Sequence, residues 1–198
     1  MKQFAPSCDR NKDFILRVLK EVLPPSGTVL EIGSGTGQHA AYFAAQLPQH
    51  TWHPTDLSAN FPSIRAWANE RRLPNLQSPR ELDLLADIKK WPLQSVHAIV
   101  CINTLHIVAW RGVENLFTGA ARVLERGGVL YVYGAFRYAT RPFEPSNQAF
   151  HDLLQARDPA SGVRDFEAVN ELAQKHGLAL GGDLAMPGNN CSISWIKP

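Results

Sequence analysis

The chain has 198 residues, a length suited to one domain with a continuous hydrophobic core. Lys and Arg number 20 against 18 Asp and Glu, so the formal charge is only +2, which argues against a polycationic nucleic-acid binder. With 44% apolar and 19% charged residues, and no apolar run near the roughly 18 residues of a membrane span, the composition is that of an ordinary globular protein.

Strand-like and helix-like segments alternate along the chain, the pattern of an α/β fold with helices on both faces of a sheet. Asp9 is positioned to cap a first helix, in which Phe14, Ile15, Val18, Leu19, Val22 and Leu23 recur at helical spacing until Pro24, Pro25 and Gly27 stop it. Residues 28–32 read as a buried strand running into glycines. Residues 37–47 follow as a helix whose Ala40, Ala41, Ala44 and Ala45 allow close packing. Residues 51–56 predict a second strand, shortened or made irregular by Pro54. A helix over 63–72 and a brief third strand over 80–84 come next. Residues 96–102 are a fourth strand and 113–125 a helix. Gly127-Gly128 then turn the chain into a fifth strand, 129–133. After a polar loop over 137–147, two short helices are expected near 148–157 and 166–176. Segments 178–184 and 191–196, separated by 186–190, predict a closing antiparallel hairpin. The expected whole is one domain over residues 1–198: a Rossmann-like three-layer sandwich on a seven-stranded, mostly parallel sheet with a C-terminal antiparallel hairpin.

Cys8, Cys101 and Cys191 are odd in number and far apart. They suggest neither a disulfide framework nor a metal site, and they fit a reducing cytoplasm. Residues 1–9 lack the apolar core of a signal peptide.

The segment Glu31-Ile-Gly33-Ser34-Gly35-Thr36-Gly37-Gln38 holds the chemistry. A strand turns sharply into a helix there, and glycine permits the backbone angles and lets a ligand approach the main chain. A dinucleotide fingerprint would need its third glycine at Gln38. Asp56, with Leu57 beside it, follows the glycines at the roughly 20-residue offset of a ribose-binding carboxylate. Asn103 and His106 follow the fourth strand, at the edge where open α/β sheets bind ligands, and His106 is a candidate general base. Tyr133 ends the fifth strand at the same edge and is a candidate pocket wall.

The spacing G-x-G-x-G preceded by Glu31 resembles motif I of class I S-adenosylmethionine-dependent methyltransferases. That resemblance implies that the loop wraps the amino-acid end of S-adenosyl-L-methionine and that Glu31 supports the loop and the ligand ammonium. It also implies that Asp56 binds the ribose and that Asp83 and Leu84 meet the adenine. Further stretches are similar to the small family that includes methyltransferase-like protein 26 and bacterial homologues: Arg10-Asn11-Lys12, Trp52-His-Pro-Thr-Asp56, Ile102-Asn-Thr-Leu-His-Ile107, Arg141-Pro-Phe-Glu-Pro-Ser-Asn147, the stretch 157–166 and Met186-Pro-Gly-Asn-Asn190. Through it Arg10, Asn11, Arg141, Asn147, Asn189 and Asn190 become candidates for an acceptor pocket, where an Arg pair would favour a carboxylate or phosphate. The asparagines would equally suit turns and caps. The expected activity is methyl transfer to oxygen, nitrogen or sulfur of a small molecule, with no metal and no membrane partner, and with nucleic acid less favoured as acceptor. The rivals are a non-catalytic S-adenosylmethionine-binding module and a nicotinamide-dependent oxidoreductase.

Overall fold

The computed structural model describes residues 1–198. Strands β1 (Gly27–Ile32), β2 (His50–Asp56), β3 (Arg80–Glu81), β4 (Val96–Ile102) and β5 (Leu124–Gly134) pair in parallel. A C-terminal hairpin of β8 (Ala179–Met186) and β9 (Asn190–Ile196) adds to β5 through an antiparallel β9. Between β5 and β8, the two-residue strands β6 (Phe136–Arg137) and β7 (Arg164–Asp165) form a separate parallel pair. The main sheet runs β3-β2-β1-β4-β5-β9-β8, so strand order reverses between β1 and β4. That reversal opens a crevice beyond the carboxyl ends of the strands, where such sheets bind ligands.

The six helices are α1 (Pro6–Val22), α2 (Gln38–Gln46), α3 (Phe61–Arg71), α4 (Trp110–Val123), α5 (Pro145–Arg157) and α6 (Phe166–Lys175). Alternation along the strands fills two cores. Val29, Ala98 and Val100 join Ile15 and Leu19 of α1 and Ala40 and Phe43 of α2. Leu30, Ile32, Ile99 and Cys101 join Val113, Leu116 and Phe117 of α4 and Val169 of α6. Each fully buried Leu, Ile or Phe contributes about 1.5–3 kcal/mol, so the two layers hold the sheet rigid under the crevice. No helix is long and apolar enough to cross a membrane.

Four local expectations need correction. The first helix starts at Pro6, not after Asp9: proline lacks the N–H that a first turn leaves unpaired, and Asp9 instead sits in the first turn. Pro54 neither shortens β2 nor disturbs its pairing with β1. Trp52 and Asp56, of the same parity, bond toward Asn75, Gln77 and Leu82, so the missing N–H of Pro54 faces that side, where the ladder is already broken. Helix α4 ends at Val123, and Leu124 already pairs with Val96. Gly127 and Gly128 are therefore an irregularity within β5, bonded to Lys197, rather than a turn into it. Lys197 Nζ also donates to Ala121 and Leu124 carbonyls at 2.6 Å, closing the end of α4.

Candidate functional site

Gly33, Gly35 and Gly37 all have positive φ, at 70°, 55° and 89°. Gly33 has a second reason to lack a side chain: a Cβ there would lie 2.5 Å from Thr104 Oγ1. At Gly37 it would lie 2.6 Å from Ile64 Cα, so glycine also lets α2 approach α3. The loop amides are largely spent within the protein. Ser34 N donates to Thr55 O (3.0 Å), Gly37 N to Ser34 O (2.9 Å) and Gly35 N to Asp56 Oδ2 (2.6 Å).

Asp56 braces the turn from the next strand. Its Oδ1 accepts from Leu57 N at 2.7 Å and Asn60 Nδ2 at 2.8 Å. Around the loop lies a cavity of about 410 Å³, lined by Gly33, Ser34, Gly35, Thr36, Asp56, Leu57, Asp83, Leu84 and Asn103 among the expected residues. Asp83 Oδ1 also accepts from Leu85 N at 2.8 Å, closing a tight turn. Ser34 Oγ is buried and has no protein partner. The remaining wall includes Ala5, Ser7 and Cys8 from the start of α1 and Ile107 and Val108 after β4. Asp56 and Asp83 are its acids, and it has no Lys or Arg.

Glu31 and Gly37 do not line this cavity. The Glu31 carboxylate lies buried in the α1–α2 layer, accepting from Trp52 Nε1 at 2.8 Å, and burial pushes its pKa up to about 7. His39, buried and stacked on Phe43, is pushed down to about 4 by burial and by Lys12. Its Nε2 meets Asn11 Oδ1 at 2.8 Å and its Nδ1 meets Cys8 Sγ at 3.7 Å. Burial raises Cys8 to about 11, so it is a thiol at neutral pH.

A second cavity, of about 780 Å³, opens beside the first. Ser7 and Asn103 line both. Asn103 holds φ 52°, and its N–H donates to Tyr133 O at 2.8 Å, tying the end of β4 to the end of β5. His106, Arg10, Asn11, Tyr133, Asn147 and Asn190 line this second cavity. His106 is buried edge-on to Phe150, with ring centroids 5.0 Å apart. Burial, reinforced by Arg164, pushes it down to about 4, so its imidazole is neutral at neutral pH.

Arg141 and Asn189 stand elsewhere. They line a smaller cavity of about 220 Å³ that shares only Asn147 and Asn190 with the large one, and Arg141 stacks on Tyr138, 3.5 Å from the ring centre. The expected Arg pair therefore does not converge in one cavity. The asparagines also hold the hairpin turn: Asn147 Nδ2 donates to Asn189 O at 2.8 Å, Asn189 sits at φ 57°, and Asn190 Nδ2 reaches Pro187 and Gly188 carbonyls at 3.2 Å.

Residues 161–164, to which no motif or spacing assigns a role, grip the loop that carries His106. Four successive carbonyls are bound: Leu105 O by Arg164 Nε (3.0 Å), His106 O by Gly162 N (2.8 Å), Ile107 O by Ser161 Oγ (3.1 Å) and Val108 O by Arg164 Nη2. A half-buried arginine with carbonyl partners leaves little trace in a sequence. The signal available was its place in the stretch 157–166. Phe14, one of the apolar residues at helical spacing in α1, is exposed and lines the large cavity.

Solved structures share this architecture. An O-methyltransferase family protein from Burkholderia thailandensis is 18% identical, with a TM-score of 0.78 over 96% of this chain and 59% of that one. Human N-acetylserotonin methyltransferase in complex with SAM is 16% identical, with a TM-score of 0.77 over 96% of this chain and 52% of that one. An O-methyltransferase family 2 protein from Planctomyces limnophilus DSM 3776, in complex with apigenin, is 15% identical, with a TM-score of 0.76 over 94% and 62%. The chain thus spans between 52% and 62% of these proteins' lengths. The likeness shows a Rossmann-like methyltransferase fold. The profile of the family described as "Protein of unknown function (DUF938)" matches residues 2–197, and the chain belongs to that family.

Proposed function

We propose that the protein is an S-adenosylmethionine-dependent methyltransferase acting on a small molecule. The observation that carries this reading is the pair of adjoining cavities of opposite character, joined at Asn103 and Ser7. The first has two carboxylates and no cationic side chain, which suits a ligand bearing a sulfonium and an ammonium. It suits a pyrophosphate poorly: Asp56 already holds the Gly35 amide and would repel a polyanion there. Gly33, Ser34 and Gly35 would hold the amino-acid end, Asp56 the ribose hydroxyls, and Asp83 with Leu84 the adenine. Glu31 would act from beneath the loop, through charge rather than contact.

When bound, S-adenosylmethionine supplies a methyl group already activated by its sulfonium. The protein then has to align the acceptor and keep water out. Asn103, common to both cavities, is suited to orient the acceptor. His106, neutral and facing the second cavity, is suited to take a proton when the acceptor has one to lose. The three cysteines, unpaired in the structure, support a reducing compartment. The stretches shared with the methyltransferase-like protein 26 group support kinship with it.

Calorimetry tests the cofactor. S-adenosylmethionine and S-adenosylhomocysteine are expected to bind, and NADH is not. Binding of NADH with no response to the other two overturns the reading. Labelled S-adenosylmethionine incubated with a metabolite extract should then yield a labelled small product, whereas binding without any S-adenosylhomocysteine release would leave a non-catalytic binding module.

A further inference from the structure

We propose that the large cavity takes a small monoanionic acceptor, a carboxylate carrying a compact ring, with Arg10 as the anchor of its acid group. The inference rests on the methyltransferase reading only for the word acceptor; the charge preference belongs to the cavity itself.

Fourteen residues line this cavity, and none is Asp or Glu. Arg10 is its one permanently charged side chain, and it takes part in none of the protein's five ion pairs. An ammonium acceptor would meet a guanidinium and no counter-charge. A carboxylate would complete a charge-assisted, bidentate pair with Arg10. One cation balances one negative charge, which favours a carboxylate over a phosphate dianion. The neighbouring groups extend the same preference. Asn11 has its carbonyl engaged with His39 Nε2 and its amide directed to the Tyr133 hydroxyl, so it offers a guest no acceptor that would repel an anion. His106 is uncharged at neutral pH and so adds no second cation.

Shape supplies the ring. Phe14, Tyr133 and Phe150 give the cavity aromatic walls, and flat apolar surfaces favour a planar guest. The volume of about 780 Å³ falls within the range of small-molecule sites. The arrangement also complements the first cavity, whose acids suit a cationic donor. Opposite charges on the two ligands draw them toward the shared Asn103.

The test uses three probes with one phenol ring: 4-hydroxyphenylacetate, its amide 4-hydroxyphenylacetamide, and tyramine. Binding is measured by protein-observed NMR on the full chain, with and without S-adenosylhomocysteine. The carboxylate should bind about tenfold or more tighter than the amide, and tyramine weakest. Arg10→Gln should remove the carboxylate advantage while leaving amide binding unchanged, and Arg10→Lys should retain part of it. Arg65→Gln, on α3 and away from this cavity, should change nothing. Arg10 is exposed, so its replacement should not threaten folding, and unchanged melting temperatures verify that. Equal affinity for amide and carboxylate, preference for tyramine, a preference that survives Arg10→Gln, or no binding of any probe at about 10 mM each overturns the proposal. If S-adenosylhomocysteine fails to bind while the carboxylate preference holds, the cofactor reading falls and the anion site stands. The reverse result sinks the anion site alone.

Discussion

Burying the Glu31 carboxylate beneath the glycine loop raises its pKa from 4.5 to about 7, so folding favours its protonated form. The stabilising contribution of that proton is complete below pH 4.5, falls as pH rises and is gone above about 7. Its full span is about 3 kcal/mol. His39 and His106 act with the opposite sign. Their folded pKa values lie near 4, against 6.5 ordinarily, so they contribute stability above 6.5 that is lost as pH falls toward 4. The wild-type profile therefore conceals the carboxylate, and a difference profile exposes it. Glu31→Gln keeps the acceptor for Trp52 Nε1 and removes the charge. In ligand-free protein the variant should gain stability relative to wild type across pH 4.5 to 7, by denaturant titration, and hold that gain at pH 8. A flat difference would mean that Glu31 ionises normally in the fold. A bound cation would stabilise the ionised form, so S-adenosylmethionine should bind Glu31→Gln more weakly above pH 7 than below it, relative to wild type.

At the level of elements, the loop after β4 is built by its neighbours rather than by its own residues. Residues 105–108 give all four carbonyls to residues 161–164, and Arg164 supplies two of the donors. The same guanidinium holds down the pKa of His106, second to burial. Arg164→Gln should loosen the loop and raise the His106 pKa, while leaving it below 6.5 because burial remains. An imidazole NMR titration reads the shift, and amide exchange over 105–108 reads the loosening. An unmoved titration with unmoved exchange would show that the grip on the loop does not depend on Arg164. This element also marks where sequence legibility stops. The strands over 27–32 and 96–102 announce themselves through buried apolar runs, and the glycine loop through the one residue type that tolerates its backbone angles. The Asp56 position follows from strand length. The 161–164 clamp works through backbone carbonyls, which every residue has, so nothing in the composition betrays it. The hairpin asparagines were legible as a cluster but not in direction: Asn189 and Asn190 sit one residue apart, and only Asn190 lines the large cavity. Arg141 failed for a similar reason, since its stacking on Tyr138 depends on where an irregular loop runs.

Across the whole molecule, α1 is the element that joins the two cavities. Ser7 and Cys8 wall the first, with Ala5 just before the helix, and Ser7, Arg10, Asn11 and Phe14 wall the second. Its two ends are held very differently. Ile15 and Leu19 are fully buried against the sheet. The strap before it, residues 2–5, is pinned by polar contacts to α2 and α3: Ala5 N to Gln38 Oε1, Gln3 N to Ser63 Oγ (2.9 Å), Trp67 Nε1 to Gln3 O (2.9 Å) and the Lys2–Glu70 pair. The Lys2 and Trp67 contacts are exposed and worth little each, and the other two are only partly buried, so the strap should open locally while the rest of α1 stays folded. Hydrogen exchange should therefore be fast over residues 2–8 and slow over 15–19, and S-adenosylhomocysteine should protect the first set selectively. Removing residues 2–5 takes Ala5 from the wall of the first cavity and removes the anchors that hold Ser7 and Cys8 beside it, but none of the core. It should weaken S-adenosylhomocysteine binding by about tenfold or more, while lowering the melting temperature by no more than a few degrees. Unchanged affinity in the truncated chain would mean that the strap covers the cavity without closing it, and access to the crevice would then lie on the side of the β4–α4 loop.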